Sequence, residues 1–318
     1  MRALITGGTG FIGKHLASYL ISCGDDVAVT GIEPRPDLTV ALAASQTSAR
    51  FIQFDIRDYN RCRSVIAEYL PDVIYHLAGM AFVPDCESDS QKAFETNLYG
   101  TYNVAKAAAE IEKKPKLIFL SSAAVYGAVE ISELPVAETR LAKPNDNYGL
   151  SKLLAEIAID KISRVDGLRY VALRAVNQLG AEQDQRFVTA NFAMQIAKIA
   201  SGKSDSREIL TGNLATERDF LSVRDAVRAY RLAACSDFSG VLNLGSGKRR
   251  KIGELLKTLL DIAGVEAEIK QDPKRIRLKE TPAFEVCIRK VSQVLDWRPT
   301  VSFEEMLKEV YEYQLSVL

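Results

Sequence analysis

Tyr148 and Lys152 are the residues of this sequence whose types and spacing most directly suggest chemistry. Residues four apart on a helix lie on one face, so the Lys152 ammonium can approach the Tyr148 phenol. A phenol titrates near ~10, and an adjacent ammonium is expected to lower the Tyr148 pKa toward the range in which protons are exchanged. Ser122 could hold a carbonyl or hydroxyl oxygen between itself and Tyr148. The same spacing also occurs in ordinary helix surface pairs, so the elements around these side chains decide the interpretation.

A glycine-rich turn near the start of the chain predicts a nucleotide site. Residues 3–6 form an apolar strand, and residues 14–22 have helical spacing. Glycines between them allow a tight turn, close approach of a pyrophosphate and close packing of the helix on the strand. The helix N-terminus supplies free N–H groups and a positive dipole end for the phosphates. The predicted cofactor-binding residues here are Gly7, Gly10, Phe11, Ile12 and Gly13.

The end of the second predicted strand, at residues 26–32, indicates which dinucleotide is bound. NAD sites usually place an acidic residue there, on the ribose 2′-hydroxyl. Here the position falls on Thr30 or Gly31, and Glu33 and Arg35 follow. An uncharged strand end with an arginine nearby favours the extra phosphate of NADP, although Glu33 leaves NAD as an alternative.

Strands and helices alternate through the first half of the chain. Strands are predicted at residues 51–54, 73–79, 117–121 and 170–173, and helices at residues 61–69, 91–111 and 148–165. This alternation predicts an α/β fold, a doubly wound parallel (Rossmann) sheet with right-handed crossovers.

Open α/β sheets bind ligands at the carboxyl ends of their strands, and several residues at these ends are candidates. The strand at 117–121 delivers Ser122 to this edge, next to the helix that carries Tyr148 and Lys152. The other predicted cofactor-binding residues are Asp55 and Ile56, where an adenine could rest, the small-residue turn of Leu77, Ala78 and Gly79, and Asn97.

The pattern changes after Arg174, which predicts a second, smaller domain over residues 177–318 that closes over the cofactor edge of a dinucleotide-binding domain at 1–176. The segment near 215–232 is expected to pack back on the first domain. Predicted elements in the second part are helices at 187–201, 225–232 and 252–263, strands at 207–210 and 241–244, and a basic stretch at 274–279. Pockets commonly form at such domain interfaces.

Composition excludes several classes of function. Lys+Arg and Asp+Glu both number 41, so there is no global charge to attract nucleic acid or an anionic membrane. The five cysteines include no CxxC pair, and His15 and His76 belong to no metal-ligand spacing, so no metal site is expected. Scattered cysteines and the lack of a signal peptide or a membrane-spanning apolar stretch favour a cytoplasmic location.

In combination, these motifs resemble the extended short-chain dehydrogenases/reductases that act on nucleotide sugars. The motifs that carry the resemblance are residues 7–13, Leu77-Ala78-Gly79, Asn97, Ser121-Ser122, Tyr148 with Lys152, and Arg218-Asp219-Phe220. The resemblance implies that Ser122, Tyr148 and Lys152 form the catalytic set, with Lys152 also holding the nicotinamide ribose. It further implies a homodimer built on the helices that begin near Gln91 and Tyr148.

Within that family, the sequence looks most like the branch that reduces GDP-4-keto-6-deoxy-D-mannose to GDP-D-rhamnose. The likeness lies in residues 13–16, 187–200, 218–229 and 271–277. It implies that Arg218 and Arg277 contact the nucleotide diphosphate, where planar guanidinium groups can grip phosphate oxygens in pairs. It also implies that Ser122 and Asn177 contact the sugar. Relatives carry Arg-Pro-Phe-Asn where this chain has residues 174–177 as Arg-Ala-Val-Asn, and residues 284–290 lack their usual Gly-Asp.

Three other functions are alternatives to this reductase interpretation. Sugar-nucleotide dehydratases place acidic residues directly after the catalytic Ser or Thr, whereas this chain has Ala123 and Ala124. A 4-epimerase with tightly bound NAD stays an alternative, because Ser-Ala-x-Val-Tyr also occurs in epimerases. A non-catalytic dinucleotide-sensing protein of the same fold is the alternative of another class, and it would not need Ser122, Tyr148 and Lys152.

Overall fold

A seven-stranded parallel sheet forms the centre of the molecule, in a computed structural model that describes residues 1–33, 50–204, 206–276 and 281–318. The spatial order of its strands is β10-β6-β5-β4-β1-β2-β3. Their bounds are β1 Arg2–Thr6, β2 Asp26–Gly31, β3 Arg50–Gln53, β4 Val73–His76, β5 Lys116–Ser122, β6 Tyr170–Ala175 and β10 Gly240–Leu244. Every pair in this sheet is parallel, which confirms the predicted doubly wound α/β fold.

Helices cover both faces of this sheet because alternate strand residues are apolar on both sides. One buried cluster contains Ala3 and Ile5 of β1, and the other contains Leu4. The helices of this part are α1 Phe11–Ser22, α2 Tyr59–Tyr69, α3 Val83–Ser88, α4 Ser90–Phe94, α5 Thr101–Glu110, α6 Asn147–Asp166 and α8 Val223–Cys235. Helices α5 and α6 pack together on one face, and α1 packs against α8 on the other.

The α6 helix that carries Tyr148 and Lys152 has clear sequence signals at both ends. The Asp146 carboxylate accepts a hydrogen bond from the Gly149 N–H at 2.7 Å, which caps the helix N-terminus. Gly167 takes the left-handed conformation at the C-terminus, as glycine often does after a helix. At Gly149 a Cβ would lie 2.7 Å from the Ala124 carbonyl oxygen, so glycine lets α6 pack closely on the turn after β5.

The long helix predicted at residues 91–111 is interrupted. A π-helical segment, Glu95–Gly100, separates α4 from α5 and contains Asn97. The Thr101 hydroxyl donates to the Asn97 carbonyl at 2.6 Å, and such side-chain bonds compete with the regular helix ladder. The expectation of one continuous α-helix is therefore wrong at this point, and π segments of this kind are frequent at functional sites.

The second part of the chain forms two small sheets and a separate apolar core. The sheets have the orders β11-β9-β7 and β12-β8. The elements are β7 Asn177–Leu179, β8 Glu208–Thr211, β9 Glu217–Ser222, β11 Arg249–Lys251, β12 Glu268–Gln271, α7 Val188–Ala200, α9 Ile252–Ala263, α10 Arg289–Leu295 and α11 Phe303–Ser316. Helices α7, α9 and α11 pack on one another around this core.

Strand β10 was predicted within the second domain, but it joins the central sheet beside β6. The chain thus returns to the first part before it ends, and the domain division at residues 176 and 177 stays a prediction. Among the described residues, no helix is long and apolar enough to cross a membrane.

Candidate active site

One cavity of about 1450 Å³ runs along the carboxyl ends of the central strands and continues over the second part of the chain. At one end it is lined by the glycine turn and the ends of β2 and β3. At the other end it is lined by residues that precede α7, follow β8 and belong to β9. Ser122, Tyr148 and Lys152 lie on its wall, so the structure brings the predicted catalytic residues and the glycine turn to one cavity.

The glycine turn has the geometry of a phosphate cradle. Gly7 has a φ of 68°, and a Cβ there would lie 2.7 Å from the backbone of Ala78. A Cβ on Gly13 would lie 2.5 Å from the Gly7 carbonyl oxygen. No side chain among the described residues caps the N-terminus of α1 at Gly10. Free helix N–H groups beside a backbone without side chains fit the pyrophosphate of a dinucleotide. Phe11 and Ile12, in the first turn of α1, also line the cavity.

Strand β2 ends at Gly31, and Ile32 and Glu33 then line the same end of the cavity. A Cβ on Gly31 would lie 2.7 Å from the Thr9 hydroxyl oxygen, so this glycine allows β2 and the glycine turn to meet. Arg35, the predicted phosphate ligand, lies outside the described residues.

Asp55 and Ile56 line the cavity at the end of β3, where the sequence predicts the adenine. The Arg57 guanidinium donates to the Asp55 carboxylate at 2.6 and 2.9 Å, and this bond holds the pKa of the Asp55 carboxyl below its usual range. Asp55 is therefore an ionised, fixed wall group, and Arg57, also on the cavity wall, is a cation that the sequence analysis did not single out.

The Leu77-Ala78-Gly79 turn forms the middle of the cavity wall, and Asn97 lies directly behind it. The Asn97 side chain accepts from the Met80 N–H at 2.8 Å and donates to the Met80 carbonyl at 3.0 Å. It also donates to the Ser151 hydroxyl at 2.9 Å. Asn97 is fully buried, so in this structure its side chain holds the turn in place and does not face the cavity.

Ser122 is the last residue of β5, and its hydroxyl acts to lower the pKa of the nearby Tyr148 phenol. The Ser122 oxygen also accepts from the Ala124 N–H at 3.1 Å, which fixes the start of the turn that follows. With its oxygen engaged in this way, the Ser122 hydroxyl can donate to an oxygen at the Tyr148 position.

Lys152 lies one helical turn from Tyr148, with its ammonium nitrogen 6.0 Å from the centre of the tyrosine ring. That nitrogen donates to the Leu120 carbonyl at 2.9 Å and lies 5.0 Å from the centre of the Phe119 ring. Burial lowers the pKa of Lys152 to about 8, while the nearby Glu156 carboxylate acts in the opposite direction. Lys152 is thus a buried cation that loses its proton more readily than a surface lysine.

The expected lowering of the Tyr148 pKa is wrong for this arrangement. Burial raises the pKa of Tyr148 to about 12, and the hydrogen bond from Ser122 offsets this only in part. The reason is that the phenol is withdrawn from water, which disfavours the charged phenolate, while the Lys152 ammonium lies 6.0 Å from the centre of its ring. At neutral pH Tyr148 holds its proton.

A buried polar network that the sequence analysis missed lies directly beneath these residues. The Arg174 guanidinium donates to the Glu156 carboxylate through two nitrogens, at 2.7 and 3.1 Å, and Ser121 donates to the same carboxylate at 2.5 Å. Ser121 precedes Ser122, and Glu156 follows Lys152 by one turn. The network therefore joins the strand and the helix that carry the candidate residues.

On the far wall of the cavity lie two of the predicted substrate-binding residues. Asn177, the first residue of β7, is exposed to the cavity, and Arg218 of β9 also lines it. Arg277 lies outside the described residues. Lys274 and Arg275 of the same basic stretch do line the cavity, and the Arg275 guanidinium donates to the Asn191 side chain at 2.7 Å. Within this stretch, the resemblance implies a substrate contact only for Arg277.

Asp219, next to Arg218, is a further residue whose structural role the sequence did not predict. Its carboxylate accepts from the backbone N–H groups of Ser246 and Gly247 at 2.9 and 3.1 Å and from the Ser246 hydroxyl at 2.6 Å. Burial raises the pKa of Asp219 to about 6 despite these bonds. Asp219 thus ties the β9 strand to the loop after β10.

Comparison with known proteins identifies the family. Residues 4–310 match the family described as GDP-mannose 4,6 dehydratase. The chain belongs to this family of extended short-chain dehydrogenases/reductases, which act on nucleotide sugars. This confirms the resemblance seen in the motifs, and it makes the chain an enzyme of the oxidoreductase type.

The similar proteins include both reductases and 4-epimerases. The chain is 32% identical over 310 residues to GDP-6-deoxy-D-mannose reductase of Pseudomonas aeruginosa, covering 97% of this chain and 95% of the relative. The structure of RMD from Pseudomonas aeruginosa complexed with NADPH matches with a TM-score of 0.87, 29% identity and full coverage of both chains. UDP-glucose 4-epimerase of Thermotoga maritima, solved with UDP-glucose, matches with a TM-score of 0.89 and 28% identity, covering 100% of this chain and 99% of the epimerase.

Within the part of the chain that the structure describes, no three His, Cys, Asp or Glu side chains are grouped so that they could hold a metal ion.

Proposed function

We propose that this chain uses NADPH to reduce the C4 keto group of a nucleotide-linked 4-keto-6-deoxyhexose, with GDP-4-keto-6-deoxy-D-mannose as substrate and GDP-D-rhamnose as product. The observation that carries the proposal is the meeting of Ser122, Tyr148 and Lys152 with the glycine turn in one cavity. The 32% identity to a GDP-6-deoxy-D-mannose reductase supports the choice of sugar and reaction.

The residues of the cavity fit a nicotinamide dinucleotide. Gly7, Gly10 and Gly13 let the turn pack tightly where a Cβ would meet neighbouring backbone atoms, and the first turn of α1 offers its N–H groups to a pyrophosphate. A Cβ on Gly79 would lie 2.7 Å from the Asn97 side-chain oxygen, so glycine lets the turn lie directly against the Asn97 amide. When bound, the reduced cofactor supplies the hydride that is added to the sugar C4.

Tyr148 then gives its proton to the C4 oxygen. A phenol whose pKa is raised to about 12 is protonated at neutral pH, which suits a proton donor. The Ser122 hydroxyl donates to the same oxygen and orients it, and the Lys152 ammonium stabilises the phenolate that Tyr148 becomes. In the balanced reaction the ketone gains a hydride and a proton, and NADPH becomes NADP⁺.

We assign the nucleotide part of the substrate to the far wall of the cavity. Arg218 and Arg275 both line that wall, and guanidinium groups pair well with diphosphate oxygens. Arg277 belongs to the same proposed set from the sequence alone. Asn177, which lies on the same wall, is the candidate for the hexose hydroxyls.

The preference for NADPH over NADH is proposed from the sequence at the end of β2, where Thr30 and Gly31 replace the usual acid. Glu33 lines this end of the cavity, which keeps NAD as the alternative cofactor. We expect a lower Kd for NADPH than for NADH in a fluorescence titration, and we expect Arg35→Ala to reduce the difference between the two Kd values. Equal Kd values for the two cofactors would contradict it.

A nucleotide-sugar 4-epimerase is the second candidate, favoured by the TM-score of 0.89 to a UDP-glucose 4-epimerase. An epimerase begins by removing a proton from the C4 hydroxyl, which a phenol with a raised pKa does less readily. A 4,6-dehydratase is disfavoured because Ala123 and Ala124 provide no acid or base after Ser122.

A panel of sugar nucleotides tests the proposed substrate. NADPH absorbance is followed with 4-keto-6-deoxyhexoses linked to GDP, UDP, CDP and dTDP, at equal concentrations. We expect the highest kcat/KM with the GDP-linked sugar. NADPH loss with another base at a higher kcat/KM would refute the GDP assignment, and no NADPH loss with any of them would refute the reductase proposal.

A further inference from the structure

A continuous chain of buried hydrogen bonds lies behind the cofactor side of the cavity. The Thr6 hydroxyl is 2.6 Å from His76 Nδ1, and His76 Nε2 is 2.9 Å from the Thr101 hydroxyl. Thr6, His76 and Thr101 are each fully buried. These residues come from β1, β4 and α5, which are distant in sequence, so neither local propensity nor helix capping explains the chain of bonds.

Each bond in this chain has one possible direction. The Thr101 hydroxyl donates its proton to the Asn97 carbonyl oxygen at 2.6 Å. Its own oxygen must therefore accept the bond from His76 Nε2–H. His76 Nδ1 is then the acceptor of the ring, and Thr6 donates to it. The Thr6 oxygen in turn accepts from the Ala78 N–H at 3.4 Å. The series therefore runs from the Ala78 N–H to the Asn97 carbonyl.

The two ends of this series of hydrogen bonds both contact the same turn. Ala78 lies inside the Leu77-Ala78-Gly79 turn, and Asn97 holds both backbone groups of Met80 just beyond it. On its other side this turn contacts Gly7, where a Cβ would lie 2.7 Å from the Ala78 backbone. His76 thus couples the hydrogen bonds at the two ends of a turn that packs directly against the glycine cradle.

The same series reaches the catalytic helix. The Asn97 side chain donates to the Ser151 hydroxyl at 2.9 Å, and Ser151 donates to the Tyr148 carbonyl at 2.7 Å. A rearrangement of the turn would therefore also disturb the first turn of α6, which carries Tyr148.

We propose that His76 is a positioning residue that sets the Leu77-Ala78-Gly79 turn, and through Asn97 the start of α6, in the conformation that receives the nicotinamide cofactor. This inference rests on the proposed function for the nature of the cofactor. His76 acts through other residues and does not itself face the cavity.

The surroundings of His76 keep its imidazole neutral. Burial, with a smaller contribution from the Lys152 ammonium, lowers the pKa of His76 to about 3. A neutral imidazole offers one donor and one acceptor, which is what the two threonine hydroxyls need. The ring also stacks on Phe119, with centroids 5.8 Å apart, so an aromatic replacement can keep the packing while it removes both nitrogens.

The test compares NADPH affinity and thermal stability across matched variants of the full chain. His76→Phe keeps the ring and removes both bonds, and Thr101→Val removes the acceptor with little change in shape. Thr101→Ser restores the hydroxyl. Thr300→Val is the control, because the Thr300 hydroxyl donates to the buried Asp225 carboxylate at 2.9 Å but lies outside the cavity lining.

We expect His76→Phe and Thr101→Val to raise the NADPH Kd by roughly tenfold. A buried polar group left unpaired costs a free energy that corresponds to about a tenfold change in Kd. Thr101→Ser should stay within about twofold of wild type, and Thr300→Val should lower the Tm without changing the Kd. Unchanged Kd values in His76→Phe and Thr101→Val, or a Thr101→Ser as weak as Thr101→Val, would overturn this inference alone. A wild-type protein that binds neither NADPH nor NADH would overturn it together with the proposed function.

Discussion

At the scale of single residues, burial decides what Tyr148 and Lys152 can do. Their spacing places them on one helix face, but their proton affinities depend on how far each is withdrawn from water. The phenol has a pKa raised to about 12, and the ammonium one lowered to about 8. At neutral pH the pair is therefore a protonated phenol beside a cation, which is the state that the proposed reduction needs at its start.

Tyr148→Phe should remove the proton donor and leave the cavity otherwise intact. We expect kcat to fall by roughly two to four orders of magnitude, the usual range for a proton-transfer group, while the NADPH Kd stays near that of the wild type. Steady-state kinetics and a fluorescence titration measure the two quantities. Turnover within a few-fold of wild type would show that another group supplies the proton.

The pH dependence of kcat/KM should report the protonation state of Lys152. Its charged form exists below a pKa of about 8 and is lost above it, so kcat/KM should decline as the pH rises through that value. The Tyr148 phenol keeps its proton across the same window, because its pKa is about 12. Initial rates between pH 6 and pH 10 give the profile. A kcat/KM that stays flat to pH 10 would mean that the Lys152 charge is not required.

At the scale of secondary-structure elements, the sequence predicts best what is local. The glycine turn and the Tyr148–Lys152 pair depend on spacings within one strand-turn-helix unit or one helical turn, so their placement follows from the sequence. The Thr6–His76–Thr101 series joins residues 70 and 25 positions apart, and no local pattern marks it. The Tyr148 pKa was predicted in the wrong direction for a related reason, since the spacing of residues carries no information about burial.

Gly13→Ala tests how tightly α1 must pack on the glycine turn. The added Cβ would lie 2.5 Å from the Gly7 carbonyl oxygen and from Gly8 Cα, so the turn must open. We expect the NADPH Kd to rise at least about tenfold, even though alanine favours a helix by ~0.5–1 kcal/mol over glycine.

Gly24→Ala is the matched control for that substitution. Gly24 has a φ of 77° but nothing within 4 Å of a Cβ, so alanine there strains the backbone without touching the turn. It should lower the Tm and leave the Kd unchanged. Equal NADPH Kd values in the Gly13 and Gly24 variants would contradict the assignment of the glycine turn as the phosphate cradle.

Arg218→Ala tests the far wall of the cavity, on β9. If this guanidinium holds the diphosphate, the KM for the sugar nucleotide should rise by roughly tenfold, the range for one lost charged hydrogen bond, with the NADPH Kd unchanged. Arg249→Ala is the control, because Arg249 lies on the neighbouring strand, pairs with Glu217 at 2.9 Å and lies outside the cavity lining. A KM that changes no more in Arg218→Ala than in Arg249→Ala would make Arg218 a structural residue.

At the scale of the whole molecule, the fold class and the family were predictable, while the sheet that strand β10 joins was not. The alternation of strands and helices gives the parallel sheet, but nothing in the sequence of β10 tells it from a strand of the smaller part. Its place beside β6 depends on a pairing between residues some seventy positions apart, such as Leu242 and Leu173. The domain boundary, the homodimer and the cytoplasmic location stay predictions.

The central claim is that this molecule consumes reduced cofactor in each turnover, and one measurement tests it most directly. The purified protein is first assayed for bound nucleotide and then given a known amount of GDP-4-keto-6-deoxy-D-mannose with excess NADPH, with Tyr148→Phe run in parallel. We predict little co-purifying NAD, one NADPH oxidised for each sugar reduced to the 4-hydroxy product, and almost no oxidation by the variant. Tightly bound NAD, no loss of NADPH and interconversion of a nucleotide hexose with its C4 epimer would contradict the reductase and identify an epimerase.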